Sequence, residues 1–251
     1  MEEHRGAKSL LALAQPTTPA DAARMAMDPD EPDQRYLGTL KLANAYFGGE
    51  QVYIELYEKA VTDESANVRS AGVRGLANHG NPDHVPILVR TLRDPDRNVR
   101  LESARGLQRL YNPVAIPVLI LVINEVNGYE DDPDVRAEAA DALGQYPDPR
   151  VLSPLIGALA DHYLIVNVAA MDSLQTLTGQ DFDLDSTAWF VWFQESSRPF
   201  AGRAAYHYPA FHRGRKWYEW FPFVSQPPNE PSATPVGMPP IRPSENIATN
   251  G

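Results

Sequence analysis

The chain has 251 residues, 43% of them hydrophobic, and a formal net charge of −11. It contains no cysteine, which excludes disulfide bonds, thiolate nucleophiles and cysteine-ligated metal sites. The first 195 residues hold 30 acidic and 16 basic side chains, and this balance disfavours nucleic acid as a partner of that part.

The start of the chain lacks the features of an export signal. Met1-Glu-Glu-His-Arg has no basic segment followed by a long apolar stretch, and no apolar run reaches the roughly 18 residues that cross a bilayer. We therefore expect residues 1–33 to form a partly helical extension and the protein to be cytoplasmic by default. An exported or membrane-tethered form stays open if the true N-terminus lies upstream of Met1.

One sequence pattern recurs along the chain. Three runs begin Asn67-Val-Arg, Asn98-Val-Arg and Asp134-Val-Arg and end in Gly-Leu or Ala-Leu, and a weaker copy starts at Ile165. Their closing residues are separated by 31, 36 and 31 positions: Leu76, Leu107, Leu143 and Leu174. A near-constant period of this length predicts a stacked array of helical units.

Each unit has the pattern of two helices joined by a turn. Gly, Asn and Pro follow the first helix, as in Asn78-His-Gly-Asn-Pro82, and a second apolar run follows this turn, as in residues 85–92. Aspartates precede the first helices and are expected to be their N-caps: Asp63, Asp94, Asp132 or Asp134, and Asp161.

The spacing of 36 residues includes an acidic insertion at residues 124–132. Its consecutive carboxylates, Glu130, Asp131 and Asp132, do not reproduce the alternating ligand spacing of a calcium-binding EF-hand loop. We expect a solvated loop here.

These runs, with their Pro-containing turns and second helices ending in Leu-x-Asp, resemble the short HEAT repeats also found in phycobilisome lyases. The resemblance covers residues 63–179, and Gln34-Arg35 with Leu42 extend it to a preceding unit. It implies an all-α, armadillo-like α-solenoid of four to five HEAT-type helical hairpins over residues 34–179.

Two classes of enzyme carry such repeats. Deoxyhypusine hydroxylases hold a di-iron centre with His-Glu pairs, and none of the six histidines here precedes a glutamate. Phycobilin lyases attach a bilin to a cysteine of another protein, so the lack of cysteine leaves a lyase-like role open. The chain also has no Gly-x-Ser-x-Gly, Walker or His-Glu-x-x-His motif, and we predict no catalytic residue, metal or cofactor.

The arginine after each Val recurs at one position of the repeat and is expected to form a ladder along the solenoid. Its members are Arg69, Arg100 and Arg136. They could bind an anionic partner, but pairing with the aspartate of a neighbouring repeat is the interpretation we favour.

Residues 180–224 depart from the period and are predicted to cap the array. Trp189, Trp192 and Phe193 share one face of a short helix. The Thr-Gly-Gln-Asp-Phe and Trp-x-x-Trp patterns also resemble the C-terminal ends of bacterial HEAT proteins.

Within this cap, residues 198–224 interleave basic and aromatic side chains. Such a segment suits a partner protein, single-stranded nucleic acid or an anionic surface, and the alternative is that its aromatic residues pack against the helices. The candidate partner-binding residues are Arg203, Tyr206, Tyr208, Phe211, Arg213, Arg215, Lys216, Trp217 and Trp220. The proline-rich residues 225–251 are expected to be a disordered tail.

Taken together, these patterns predict a non-enzymatic scaffold that binds another protein through its solenoid surface. The alternatives are a lyase-like accessory factor acting on a modified or chromophore-bearing protein, and binding of nucleic acid or an anionic surface through residues 198–224.

Overall fold

The computed structural model describes residues 18–126, 128–209, 217–220 and 232–240, which form eleven α-helices and no β-strand. Three short 3₁₀ helices, Pro82–His84, Pro113–Ala115 and Trp217–Trp220, accompany them. No helix in the described ranges is long and apolar enough to span a membrane. The α-helices are Pro19–Ala26 (α1), Pro32–Ala43 (α2), Gln51–Ala60 (α3), Ala66–His79 (α4), Val85–Thr91 (α5), Arg97–Leu107 (α6), Ile116–Ile123 (α7), Pro133–Leu143 (α8), Pro149–Ala158 (α9), Leu164–Thr178 (α10) and Ser186–Glu195 (α11).

The helices form two rows. Helices α2, α4, α6, α8 and α10 pack side by side as the first row, and α3, α7 and α9 lie among the second-row helices that complete each hairpin. Helix α1 packs on α2, and α11 packs on α9 at the end of the second row. The predicted all-α solenoid is thus confirmed, with a first hairpin formed by α2 and α3.

Close packing between the rows depends on small residues. Tyr57 of α3 is fully buried, and a Cβ on Gly75 of α4 would lie 2.5 Å from its ring. The same applies between α1 and α2, where a Cβ on Gly38 would lie 2.5 Å from the carbonyl oxygen of Ala22. A larger side chain at either glycine would therefore push the helices apart.

The predicted helix caps need one correction. Asp132 caps α8, but Asp63, Asp94 and Asp161 lie two residues before the N-cap positions, which are Ser65, Asp96 and Tyr163. Each of these three carboxylates accepts a hydrogen bond from the N-cap amide, at 2.8 to 2.9 Å. Each of these carboxylates can therefore also accept hydrogen bonds from the arginine of the preceding repeat.

Helix α11 supplies the aromatic end of the array. Trp189 is fully buried, and its indole nitrogen donates a hydrogen bond to the carbonyl oxygen of Asp183 at 2.9 Å. Phe182 meets the Trp189 ring edge to face, with 5.0 Å between centroids. Trp192 and Phe193 are partly buried.

Residues 232–240 form a strap across the turns that follow the first-row helices. The Tyr111 amide donates to the Val236 carbonyl at 2.9 Å, and the Val236 amide donates to the Arg109 carbonyl at 2.8 Å. The expectation of a disordered tail therefore does not hold for this part, because the turn after α6 offers backbone groups that the strap satisfies. Residues 225–231 and 241–251 lie outside the described ranges.

Gly237 is expected to be essential for docking of the strap. Its φ is +85°, and a Cβ there would lie 2.3 Å from Cγ of Pro82. Gly237→Ala should lower the free energy of unfolding by about 1–2 kcal/mol and accelerate hydrogen exchange at the Tyr111 amide.

Gly157→Ala is the matched control, because a Cβ there meets nothing within 4 Å in the helix α9. It should raise stability by about 0.5–1 kcal/mol and leave the Tyr111 amide unchanged. Equal exchange at Tyr111 in Gly237→Ala and the parent would show that the strap is not held this way.

Candidate functional site

A bidentate ion pair links each of the first-row helices α2, α4, α6 and α8 to the next repeat, and we call it a rung. In the rung of Arg69, Nε and Nη2 donate to the two carboxylate oxygens of Asp94 at 2.7 and 2.8 Å. Nη1 donates to the carbonyl oxygens of Asp63 and Glu64, both at 3.0 Å. One guanidinium therefore joins the entry loop of its own repeat to that of the next.

The same geometry recurs along the array. The other rungs are Arg35 with Asp63 at 2.8 and 3.0 Å, Arg100 with Glu130 at 2.7 and 3.2 Å, and Arg136 with Asp161 at 3.0 and 3.0 Å. In the last repeat Asn167 stands at the arginine position, and its Nδ2 donates to the carbonyl oxygens of Ala158 and Asp161 at 3.0 Å. The arginines of the predicted ladder, Arg69, Arg100 and Arg136, thus each pair with a carboxylate of this protein.

The rungs also shift the ionisation of their acids. Burial opposes the charged form of Asp94, but the hydrogen bonds from Arg69 and the Asp96 amide, together with the charges of Arg69 and Arg100, outweigh it and hold the pKa of Asp94 below its usual value. The pKa of Asp63 is lowered in the same way: burial opposes its charged form, and Arg35, the Ser65 amide and Arg69 together outweigh burial.

Glu130 is a rung residue, whereas the sequence predicts a solvated loop at this position. Its side chain is only 1% exposed, and it takes the place that an aspartate has in the other repeats. The signal was its position: each rung acid lies six residues before the arginine or asparagine of its own repeat, as Glu130 does before Arg136.

A second ladder runs along the outer face of the first row. Arg74 of α4 pairs with Glu102 of α6 at 3.2 Å, and Arg105 of α6 pairs with Glu138 of α8 at 2.8 Å. Each of these arginines lies five residues after a rung arginine. The register of the rungs therefore also aligns this outer ladder.

The outer ladder stops at the fourth repeat. Asp141 of α8 and Asp172 of α10 occupy the positions that Arg74 and Arg105 hold in earlier repeats. Within the described part of the chain, neither carboxylate forms a hydrogen bond or ion pair. An acid has replaced a base at both positions, so this end of the face lacks its cations.

Asp141 is ionised with difficulty. Burial, followed by the charges of Glu138 and Asp172, raises the pKa of Asp141 to about 8. Burial also raises the pKa of Asp172. Tyr206 also interacts with this group: burial, and after it the charge of Asp141, raises the pKa of the Tyr206 hydroxyl.

Exposed apolar side chains lie beside the unpaired acids. Leu164, Ile165 and Val168 on α10 are 65%, 51% and 38% exposed. With Arg105, these side chains and acids line a groove of about 630 Å³ between the first-row helices. We call the surface of Glu138, Asp141, Leu164, Ile165, Val168 and Asp172 the acidic–apolar face.

The predicted basic and aromatic patch is not assembled as one surface among the described residues. Tyr206 is buried and cannot present its side chain to a partner, which corrects its place among the candidate binding residues. Arg203 is half-buried, and the Tyr208 ring lies under the guanidinium of Arg109 at 5.5 Å. Trp217 and Trp220 are exposed, whereas Phe211, Arg213, Arg215 and Lys216 lie outside the described ranges.

The buried rung between Arg136 and Asp161 is expected to be essential for stability, since the two side chains are 3% and 1% exposed. Arg136→Leu should lower the free energy of unfolding by about 3–5 kcal/mol, because it leaves a buried charge without a partner. Urea unfolding measures this loss.

Arg150→Leu is the control, since the pair of Arg150 with Asp148 is exposed, and its unfolding midpoint should not move. Adding Asp161→Asn to Arg136→Leu should recover much of the loss. A midpoint of Arg136→Leu equal to that of Arg150→Leu would contradict the role given to the rung.

Asp141 is expected to destabilise the fold at neutral pH. Its folded pKa lies above its unfolded value, so the unfolded chain loses the proton first and stability falls as pH rises from about 4 to 8. Asp141→Asn should add about 3–4 kcal/mol to the free energy of unfolding at pH 7 and less than about 0.5 kcal/mol at pH 4.

The exposed Asp83 provides the control, and Asp83→Asn should behave as the parent protein at both pH values. A gain for Asp141→Asn that is the same at pH 4 and pH 7 would show that its ionisation is not the cause.

Comparison with known proteins agrees with this architecture. Residues 55–129 match the family model of HEAT repeats, and residues 135–161 match the model of the PBS lyase HEAT-like repeat. The X-ray structure of YIBA_ECOLI from Escherichia coli is 20% identical, with 73% of each chain covered and a TM-score of 0.51. Searching curated proteins gives no significant match.

Two further solved structures match with lower TM-scores. The complex of CpcE and CpcF of phycocyanin lyase from Nostoc sp. PCC7120 is 22% identical, with 70% of this chain and 81% of that chain covered and a TM-score of 0.44. A designed armadillo repeat protein in complex with the peptide (KR)4 is 17% identical, with 71% and 92% covered and a TM-score of 0.49. Residues 55–129 and 135–161 therefore contain HEAT-type repeats, and the described helices form an α-solenoid.

Proposed function

We propose that this protein is a non-enzymatic scaffold that binds a segment of another protein on the acidic–apolar face. The observation that carries the proposal is the exposure of Leu164, Ile165 and Val168 together on one helix. Clustered apolar side chains at a surface typically mark an interaction site.

The same positions in an earlier repeat support this assignment. The third repeat has Arg97 and Asn98 where the fifth has Leu164 and Ile165. Arg97 is paired within the protein, to Asp132 and Asp134. The polar surface of the third repeat is thus satisfied by its own chain, and the fifth repeat offers apolar surface in its place.

The segment of residues 198–224 is a second candidate surface. The side chains of Trp217 and Trp220 are 78% and 72% exposed. Stacking aromatic residues near arginines favour nucleic acid or an anionic surface, and such binding would weaken strongly with salt.

A lyase-like accessory role is the alternative function. The match of residues 135–161 to the PBS lyase HEAT-like repeat favours it. This role requires that the purified chain bind a linear tetrapyrrole, which a red shift in the absorption of the added pigment would reveal.

Site-specific photocrosslinking in native cells tests the proposed scaffold function. A benzoylphenylalanine is placed at Ile165, at the fully exposed Tyr46 as a control, and at Trp217 to report on the second surface. We expect one discrete protein adduct at position 165, because only that position lies on the acidic–apolar face.

The pattern of adducts decides between the surfaces. No such adduct should form at position 46. Adducts at position 217 but not at position 165 would contradict the proposal and favour the second surface, and identical adducts at all three positions would indicate nonspecific contact.

A further inference from the structure

We propose that the bound segment is cationic and that one of its lysine or arginine side chains lies between Asp141 and Asp172, where it continues the outer ladder. This inference rests on the proposed scaffold function and specifies the chemistry of its partner. It depends on the register of the repeats, on the burial of Asp141 and on the apolar side chains beside it.

The register defines the position where a cation is missing. Arg74 spans from α4 to Glu102, and Arg105 spans from α6 to Glu138, so each repeat supplies the cation for the next. At the following step α8 supplies Asp141 instead, and the outer ladder receives no cation from this chain's described residues. A basic side chain from outside would restore the alternation of charge.

The local charge also favours a cation. Arg105, which lines the groove, is already paired with Glu138, and Asp134 is paired with Arg97. Asp141 and Asp172 are the lining carboxylates that have no cationic partner among the described residues. A partly buried carboxylate without a counter-charge is unfavourable, and an incoming ammonium or guanidinium group would relieve that cost. Phosphate groups and acidic peptides would be repelled.

The apolar side chains limit the partner further. Leu164, Ile165 and Val168 lie on the same groove as the acids, within one helix. A ligand that buries these side chains while it pairs with Asp141 needs apolar and basic groups close together. A peptide segment with both kinds of side chain meets this requirement, and a simple inorganic cation does not.

Binding of this kind should depend on pH. The charged and titratable groups facing Asp141 are Glu138, Arg105, Asp172 and, from the C-terminal segment, Tyr206. A bound cation favours ionised Asp141, so below its pKa of about 8 binding must release a proton. Affinity should therefore rise between pH 6 and pH 8.

Fluorescence anisotropy with the full chain tests the proposal. The probe is a labelled ten-residue peptide of alternating lysine and leucine, and the comparison peptides alternate glutamate with leucine and lysine with serine. Asp141→Asn combined with Asp172→Asn should weaken binding of the lysine–leucine peptide at least about tenfold, which corresponds to 1.4 kcal/mol.

The matched control removes the same charge elsewhere. Asp33→Asn combined with Asp83→Asn changes two exposed acids away from the face and should leave the affinity within about twofold. Equal weakening by the two double variants, or equal binding of the glutamate–leucine peptide, would overturn the cationic assignment. Equal binding of the lysine–serine peptide would overturn the part assigned to the apolar side chains.

Two further outcomes are distinguishable. Tighter peptide binding after Arg213, Arg215 and Lys216 are changed to alanine would show that this chain's own basic residues compete for the face, and would overturn the assignment to a partner. A specific adduct at position 165 without binding of the lysine–leucine peptide would refute the cationic partner and leave the scaffold function standing.

Discussion

The bidentate ion pair between an arginine of one repeat and a carboxylate of the next is the interaction on which the array depends. At Arg136 and Asp161 it is almost completely buried, and each guanidinium also holds the carbonyls of its own entry loop. The desolvation of two charges offsets much of their attraction, so the value of such a pair lies in the single geometry it permits. The rungs thereby fix the register of neighbouring repeats.

The fixed register also determines which surface residues of neighbouring first-row helices lie next to each other. Because the rungs align the helices, residues at equal distance from each rung arginine form a continuous line on the outer face. The line is self-paired at Arg74 and Arg105 and becomes acidic at Asp141 and Asp172. Local frustration of this kind, a partly buried acid beside exposed leucine and isoleucine, costs stability in the free protein and is typical of surfaces that bind a partner.

Much of the fold could be predicted from the sequence, because the Val-Arg runs and their closing leucines repeat with a regular period. The sequence predicts the aspartates of the rungs as N-caps, since spacing alone does not separate an N-cap from a position two residues earlier. The sequence does not identify Glu130 as a rung acid, because the insertion at residues 124–132 obscures its position in the repeat. The strap at Val236 and the burial of Tyr206 depend on contacts between distant segments, so no local sequence pattern predicts them. The sequence shows Asp141 at the repeat position where earlier repeats have an arginine. What this difference means for the surface becomes clear only from the ion pair of Arg105 with Glu138 in the structure.

The central claim is that the first-row surface of α8 and α10 receives a basic and apolar peptide segment. Amide hydrogen exchange of the full chain, with and without a saturating lysine–leucine peptide, tests it most directly. The account predicts slower exchange confined to residues 133–143 and 164–178, with the equally packed helices α4 and α6 unchanged. Protection that appears instead at residues 217–220, or no protection anywhere at saturation, would contradict it.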